Sequence, residues 1–560
     1  MPILQKLAHL FTWAPENDYQ FYLPEESSTE PISEPTKEVE KQSIFPSVAV
    51  NLEYVKTAYN TMLNSDIIIR EFSILARNRQ YKAFLLFIDG MVNSTMINDF
   101  VLKPLMLKNS ANSFDGEQER IISEAVTNNI TVRKIKKFDI VSYITSCLLP
   151  QNSVKQVKTF SEAFSGVNSG NCALFIDTLN IVFDIEVKGF KQRSISQPQN
   201  ETVIKGPHEA FVENLRTNTS LLRKIVNNEN LIMESASVGD ITQTKCAICY
   251  MKNIANDDLV AEVQYRINNL QVDSLLSVGQ LEQLIVDQNT LGIPEILSTE
   301  RPDKTSQYLL QGRVAVLVNG SPYAVIMPAT ISDFMSSTED SNLKPYFANF
   351  LKGLRLLAAI ITLLLPGLYV AITCFHQEIL PTELLFSILA TRQNVPFPVI
   401  IEILTLEISF ELIREAGLRV PSPIGSTIGI VGALVLGQAA VSAGIISPIL
   451  IIIVAITGIA SFAIPDFSFG FHLRFFRFIF ILLGFIAGFL GISIGIFVYL
   501  CVLCNLKSFG ISFITSACTC GNKKSNDYFV PPIWKQEKRP SFLSTKKEKN
   551  QEAISMKWKN

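Results

Sequence analysis

Five ionisable side chains, Glu402, Glu407, Glu411, Arg414 and Glu415, interrupt a mostly apolar stretch from Val395 to Leu418. On a helix, Glu407, Glu411 and Glu415 recur every four residues and share one face. Carboxylates inside hydrocarbon are costly, so they face a water-filled path, a partner or one another. Aligned acids along such a path would draw in cations. Two dispositions are open: a span whose acids face a water-filled path, a partner or one another, or an interfacial helix lying flat with its acids in water. Pro396, Pro398, Pro421 and Pro423 bound the segment and shorten any span. Gln438, the lone strong hydrogen-bonding side chain between Ile424 and Ile464, needs a partner or a wet path. Glu402, Glu407, Glu411 and Gln438 are therefore the candidate ion-pathway residues.

Other chemistry is poorly represented. The chain has four histidines, and although His208-Glu209 opens like a zinc-protease helix, position 212 is Val, so the second ligand is missing. Cys246 and Cys249 lie three apart in a segment that reads as a strand, where they point to opposite faces and cannot chelate one ion. Nine scattered cysteines suit a reducing compartment. No P-loop, dinucleotide fingerprint or internal repeat is evident, and nothing joins a nucleophile to a base. The expectation is a non-enzyme without metal or cofactor. Lys and Arg total 49 against 51 Asp and Glu, with no basic stripe to suggest a nucleic-acid partner.

The elements that hold these residues divide sharply. Leu356–Phe375, Ile424–Ile464 and Phe478–Leu506 contain no Asp, Glu, Lys or Arg. At about 20 apolar residues per crossing, the first is one span, the second long enough for two, and the third one long or tilted span. The expected fold class is α/β (or α+β), two soluble subdomains at 50–200 and 201–350, followed by an all-α transmembrane bundle of four to five membrane segments at 351–506. An acidic, proline-punctuated segment at 1–49 reads as disordered, and 507–560 as a basic tail. No secretory signal is evident, which leaves the body in the cytoplasm.

Within the body, Lys82–Ile88 reads as a buried strand, and Cys172–Ile176 with Ile181–Val187 as a hairpin. Pro207 reads as the first residue of a helix carrying Glu209 and Glu213 in its first turns. Leu259–Leu270 and Val278–Asp287 have helical spacing. Asn319-Gly320 between two apolar runs predicts a two-residue hairpin turn. Arg301 in Thr299-Glu-Arg-Pro-Asp303 reads as half of a structural ion pair.

In the membrane half, Gly484, Gly488, Gly491 and Gly495 form one expected helix stripe, and Gly425, Gly429 and Gly432 another, both allowing close helix packing. Topology stays divided. If 395–418 spans, Arg414, Arg419, Arg474 and Arg477 fall on the cytoplasmic side, but the basic tail lands outside, against the positive-inside rule. If it lies flat, the tail is cytoplasmic, but Arg474 and Arg477 face out.

Several long motifs then resemble one family, in order from about Ser65 to Gly510. They are Lys205-Gly-Pro-His-Glu-Ala-Phe-Val-Glu213 with Asn218 and Leu221-Leu-Arg223, Thr299–Asp303, and Gly312-Arg-Val-Ala-Val-Leu-Val-Asn-Gly-Ser-Pro322. Leu365-Pro-Gly-Leu-Tyr-Val-Ala-Ile372, Val395–Pro398, Arg414-Glu-Ala-Gly-Leu-Arg-Val-Pro421 and Ile424–Ala433 continue the series. The chain resembles the A subunit of the GerA family of spore germinant receptors. His208 stands where Arg is usual, Lys352 replaces an expected Arg, and Ile511–Cys520 lacks the family's Tyr and prolines.

The resemblance implies a nutrient receptor of the inner spore membrane with a cytoplasmic N-terminal region of two α/β subdomains. It implies a transporter-like B subunit that binds the germinant, a lipoprotein C subunit, and a homo-oligomer that opens as a cation channel. Within the matched motifs, Glu209, Glu213, Arg223, Glu300, Arg301 and Asp303 are candidate structural or interface residues. A secondary transporter and a non-conducting membrane scaffold are the alternatives.

Overall fold

The computed structural model describes residues 21–23, 42–76, 79–107, 140–151, 153–189, 198, 200–287, 292–393, 395–419, 435–515 and 538–547. The first half contains two five-stranded sheets. Helix α1 (Val48–Ala58) precedes β1 (Ile67–Ala76) and β2 (Arg79–Ile88). After a helical stretch come β3 (Val154–Val157), α2 (Phe160–Asn168), β4 (Cys172–Ile176) and β5 (Val182–Ile185). The strands are all antiparallel, in the order β1-β2-β4-β5-β3.

The second unit repeats this plan. Helix α3 (Leu215–Ile225) leads into β6 (Leu231–Val238) and β7 (Thr244–Met251). Helices α4 (Asp257–Asn268) and α5 (Val278–Ile285) follow, then β8 (Leu297–Thr299), α6 (Pro302–Gln311), β9 (Val314–Val318) and β10 (Ala324–Met327). Its order, β6-β7-β9-β10-β8, matches the first sheet strand for strand. The expectation of no internal repeat is thus corrected. The duplication lies in topology, which many apolar sequences can satisfy, and not in residue identity.

Both sheets are covered on both faces, so β4, β5, β9 and β10 are buried along their whole length. The pleat sends alternate side chains to opposite cores. On β7, Cys246, Ile248 and Tyr250 join one core, and Ala247, Cys249 and Met251 the other. The CxxC therefore straddles the sheet.

Two local readings need correction. No helix begins at Pro207; α3 starts at Leu215, capped by Asn214, whose side chain accepts from Thr217 N. The backbone from 207 to 212 is used elsewhere. Pro207 O accepts from Arg301 Nη2 at 2.8 Å, Phe211 N donates to Glu300 O at 2.8 Å, and the Asn218 side chain bonds both Val212 N and Val212 O. The β9–β10 connection is also longer than two residues, since Ala324 is the first strand residue and pairs with Leu317. Its turn is held by the neighbouring strap: Gly320 N donates to Glu213 O at 2.7 Å, and Asn319 Oδ1 accepts from Leu215 N at 3.2 Å.

The second half is helical: α7 (Pro345–Phe375), α8 (Thr382–Arg392), α9 (Val399–Arg419), α10 (Pro448–Phe462) and α11 (Phe467–Asn505). Among the described residues two helices, α7 and α11, are long and apolar enough to cross a membrane. The expected four to five segments are not all present as such helices. Helix α10 has 15 residues, α9 is interrupted by acids, and 420–434 lies outside the described residues.

Helix α11 is not one straight rod. At Gly488 the backbone adopts φ 60°, ψ −135°, a region open to glycine, and the chain folds back on itself. His472 Nε2 lies 3.2 Å from Tyr499 Oη, the Phe476 and Tyr499 rings are 5.4 Å apart, and Gly491 abuts the Leu483 carbonyl. The single stripe expected of Gly484, Gly488, Gly491 and Gly495 is replaced by three different contacts. A Cβ on Gly484 would stand 2.5 Å from Gly367 O on α7; Gly491 and Gly495 face Leu483 within the hairpin; Gly488 makes the turn.

The returning half of α11 ends on the body. Ser508 Oγ donates to Glu295 O at 2.6 Å and accepts from Ala329 N at 3.0 Å, and Ile331 N donates to Phe513 O at 3.0 Å. Phe334 stacks on Phe469 at 5.8 Å and meets Phe513 at 5.7 Å, so one hydrophobic core runs from the second sheet into the bundle. Further along the tail, Lys546 pairs with Asp257 at 2.5 Å.

Gly488→Ala is expected to lower stability by about 1–3 kcal/mol, the usual cost of a non-glycine residue in such a conformation. Its Cβ would also meet His376 Cε1 at 2.7 Å. Gly353→Ala, in the open surface of α7, is expected to be neutral or stabilising by about 0.5–1 kcal/mol. Thermal melting of the two variants in detergent measures the contrast.

Candidate functional site: a buried charge cluster between helices

The acids of α9 are held by arginines. Arg477, with a fully buried side chain, reaches from the first half of α11 to Glu407, also fully buried, at 2.8 Å, and to Glu411 at 3.0 Å. Glu411 also takes Arg414 at 3.0 Å and lies 3.6 Å from Arg474. Arg414 Nη2 continues to Ser461 Oγ on α10 at 2.8 Å. Three helices therefore meet on five charged side chains. Glu415 is outside this group, paired with Arg419 at 2.7 Å on the exposed surface.

A second charged layer stands about 8 Å along α9 from Glu407, at 1.5 Å per residue. Glu402 pairs with Arg392 of α8 at 3.4 Å and accepts from Ser447 N, the N-cap of α10, at 3.2 Å. A carboxylate there complements the helix dipole. Gln438 lies in a π-helical stretch, Val435–Ala439, with its side chain exposed. Gly425, Gly429 and Gly432 lie outside the described residues.

The structure thus brings Glu407 and Glu411 together and separates Glu402 and Gln438 from them. It changes their electrostatics too. Three guanidiniums against two carboxylates make the cluster net positive, the opposite of the bare acid face read from the i, i+4 spacing. The decisive partners, Arg474 and Arg477, lie 60 or more positions away in sequence, but two arginines just before an uncharged run were a usable signal.

The candidate structural residues of the body fall into two networks. Arg223 joins the two sheets: its Nε and Nη2 grip Asp66 at 2.8 and 2.9 Å, and Nη2 also reaches Asn64 Oδ1 at 3.2 Å. Arg301, wholly buried, forks onto Asp303 at 3.1 and 2.8 Å and donates to Glu201 O and Pro207 O. Glu300 Oε1 accepts from the backbone N of Asn200 and Glu201 at 2.6 and 2.8 Å. Together they lash the 200–214 strap to the second sheet. Glu209 makes a surface pair with Lys224 at 2.5 Å, and the Glu213 side chain is exposed.

Sequence reasoning passed over Glu282 on α5. Burial pushes its carboxyl up to about 7; a hydrogen bond from Ser298 Oγ opposes the shift, and Asp466, the N-cap of α11, adds to it. A titrating acid therefore sits at the joint between body and bundle.

The family model described as "Bacillus/Clostridium GerA spore germination protein" matches residues 53–542. The chain belongs to the GerA family. Spore germination protein KA of Bacillus subtilis (strain 168) is 37% identical to it over 502 residues, 90% of this chain and 87% of that protein. Spore germination protein B1 of the same organism is 37% identical over 454 residues, 80% and 88% of the two chains. The crystal structure of the N-terminal domain of the A subunit of the Bacillus megaterium spore germinant receptor GerK3 is 29% identical, with a TM-score of 0.36, covering 52% of this chain and 98% of that one.

In this GerA-family chain, breaking one partner of the Glu407–Arg477 pair leaves a buried charge uncompensated. Glu407→Leu is expected to cost about 3–5 kcal/mol, whereas replacing both residues by apolar ones of similar volume recovers most of that loss. A double-mutant cycle in thermal melts measures the coupling. At Glu282 the folded form holds its proton where the unfolded chain, with the ordinary value of 4.5, has lost it. Stability therefore falls as pH rises from about 4.5 to about 7. Glu282→Gln is expected to exceed the parent by roughly 3 kcal/mol at pH 8 and to match it near pH 4.

Proposed function

We propose that this chain is the A-type subunit of a nutrient germinant receptor, held in the inner membrane of the spore with its two-sheet body in the cytoplasm. Its partners are a transporter-like B subunit that binds the germinant and a lipoprotein C subunit. The family match carries this reading, because it runs through body and bundle alike. The role is in signalling, without catalysis.

The fold-back at Gly488 supports the orientation. With α11 crossing twice, the tail returns to the body's side, and Arg414, Arg419, Arg474 and Arg477 lie toward that same side. Both positive groups then fall in or near the cytoplasm, as the positive-inside rule prefers. One turn removes the objection that a spanning 395–418 would leave the basic tail outside.

The finer proposal is that copies of this subunit assemble around a cation path gated by germinant binding to the partner. The protomer then represents a closed form, since Glu407 and Glu411 are occupied by arginines and the local charge repels cations. Opening moves α9 against α11, so that the acids exchange guanidinium for permeant ions. A non-conducting scaffold is the second reading, and the same pairing favours it, because matched acids and arginines also suit a purely structural role.

Spores carrying Glu407→Gln/Glu411→Gln are expected to release cations abnormally after nutrient addition when compared at matched protein level, since the Glu407 change also unpairs the buried Arg477. Normal release at normal protein level would remove these acids from the path and leave the scaffold reading. Single-channel recording from the reconstituted complex separates altered conduction from lost assembly.

A further inference from the structure

We infer that Arg414, Arg474 and Arg477 form a binding site for a phosphate oxyanion, supplied by the headgroup of an anionic phospholipid from the leaflet on the body's side. The inference rests on placing the helices in a bilayer and is independent of the ion path. Its first ground is charge. Three guanidiniums meet two carboxylates, Glu407 and Glu411, leaving one positive charge in a setting where an unmatched charge is costly. Residues 420–434, which follow α9, contain no Asp or Glu to neutralise it.

The second ground is hydrogen bonding. Among the described residues, Nε of Arg414 and both Nε and Nη1 of Arg477 are buried donors without a hydrogen-bond acceptor, and Nε of Arg474 has only the ion-pair contact to Glu411 Oε1 at 3.6 Å, beyond hydrogen-bond range. Glu411 is already engaged, with Arg414 Nη1 on both its oxygens and Arg477 Nη2 on one. The Glu407 carboxylate is taken up by Arg477, whose Nη2 stands 2.8 Å from Oε2. Nε of Arg414 still needs an acceptor, and Nε of Arg474 faces a Glu411 oxygen already shared with Arg414 and Arg477 and too distant to hydrogen-bond it. Guanidinium forks match oxyanions in charge and in donor spacing.

The third ground is what surrounds the open side. Arg414 and Arg474 lie at the rim, each with 9% of its side chain exposed, beside Glu411 at 27%. Arg414 stacks over Phe462 at 4.8 Å, and Arg474 over Phe471 at 5.5 Å. Both rings are largely exposed. Apolar rings on the outside and unsatisfied guanidiniums just within fit an amphiphile, acyl chains on the former and phosphate on the latter. Arg474 lies about 10 Å along α11 from its first residue, a depth that a headgroup can reach.

The test uses the full-length protein in detergent. Thermal melting is followed with phosphatidylglycerol, with zwitterionic phosphatidylcholine and with inorganic phosphate, and co-purified phospholipid is counted by mass spectrometry. Phosphatidylglycerol is expected to raise the melting temperature. Arg414→Gln and Arg474→Gln are expected to weaken its apparent affinity about tenfold or more, while Arg419→Gln, on the exposed Glu415 pair, leaves it unchanged. Arg477 is kept so that the Glu407 pair survives. If a Gln variant fails to fold, Arg474→Lys, which keeps the charge and loses the fork, is expected to give an intermediate weakening.

A rise with inorganic phosphate alone, abolished by Arg474→Gln, would support the site with a free anion as its source. Equal stabilisation by phosphatidylcholine, or a phosphatidylglycerol effect indifferent to Arg414 and Arg474, overturns it. Membrane fractionation, run separately, shows whether the bilayer placement itself fails.

Discussion

The arrangement of the second half depends on one backbone conformation, the positive φ of Gly488. A helix continued through this residue would carry Asn505 and the tail to the far end of the bundle. The reversal instead sets the two halves of α11 side by side, brings Tyr499 onto His472 and Phe476, and returns the chain to the second sheet. The glycines beside the turn make the geometry possible, because Gly484 lets the α7 backbone approach and Gly491 and Gly495 leave room for Leu483. A Cβ at any of these positions would meet atoms already in place.

The return creates a mechanical connection. Phe334, just beyond the last strand, contacts Phe469 at the start of α11 and Phe513 after its end. The body therefore touches both feet of the hairpin at one aromatic residue, within a core shared by both halves. Arg301 and Glu300 fix the strap on the same sheet, Glu282 faces Asp466 across the joint, and Arg223 ties that sheet to the first. Packed side chains thus link the second sheet to α11, and Arg477 links α11 to the acids of α9. Interiors this densely packed move between discrete arrangements and do not deform continuously.

Much of the body was legible because strand patterning is local. The apolar run at Lys82–Ile88, the hairpin after Cys172 and the opposed cysteines of β7 all follow from a two-residue period. The shared face of Glu407 and Glu411 on α9 follows from the helical period of 3.6. What the sequence hid was non-local. Pro207 has the chemistry of a helix start, but Arg301, some 90 positions on, takes its carbonyl. Gly488 resembles its neighbours in a glycine stripe, and only the pairing of the flanking helices shows that it turns. The acids looked unpaired because their arginines lie on another helix. The duplicated sheet escaped notice because topology persists where residue identity does not.

The most direct test of this account is the side of the membrane on which the tail lies. An epitope inserted after Lys547, probed in vesicles of known orientation, is predicted to be accessible only from the face that exposes the two-sheet body. Access from the opposite face alone would mean that the last apolar helix crosses once, and would contradict the fold-back at Gly488.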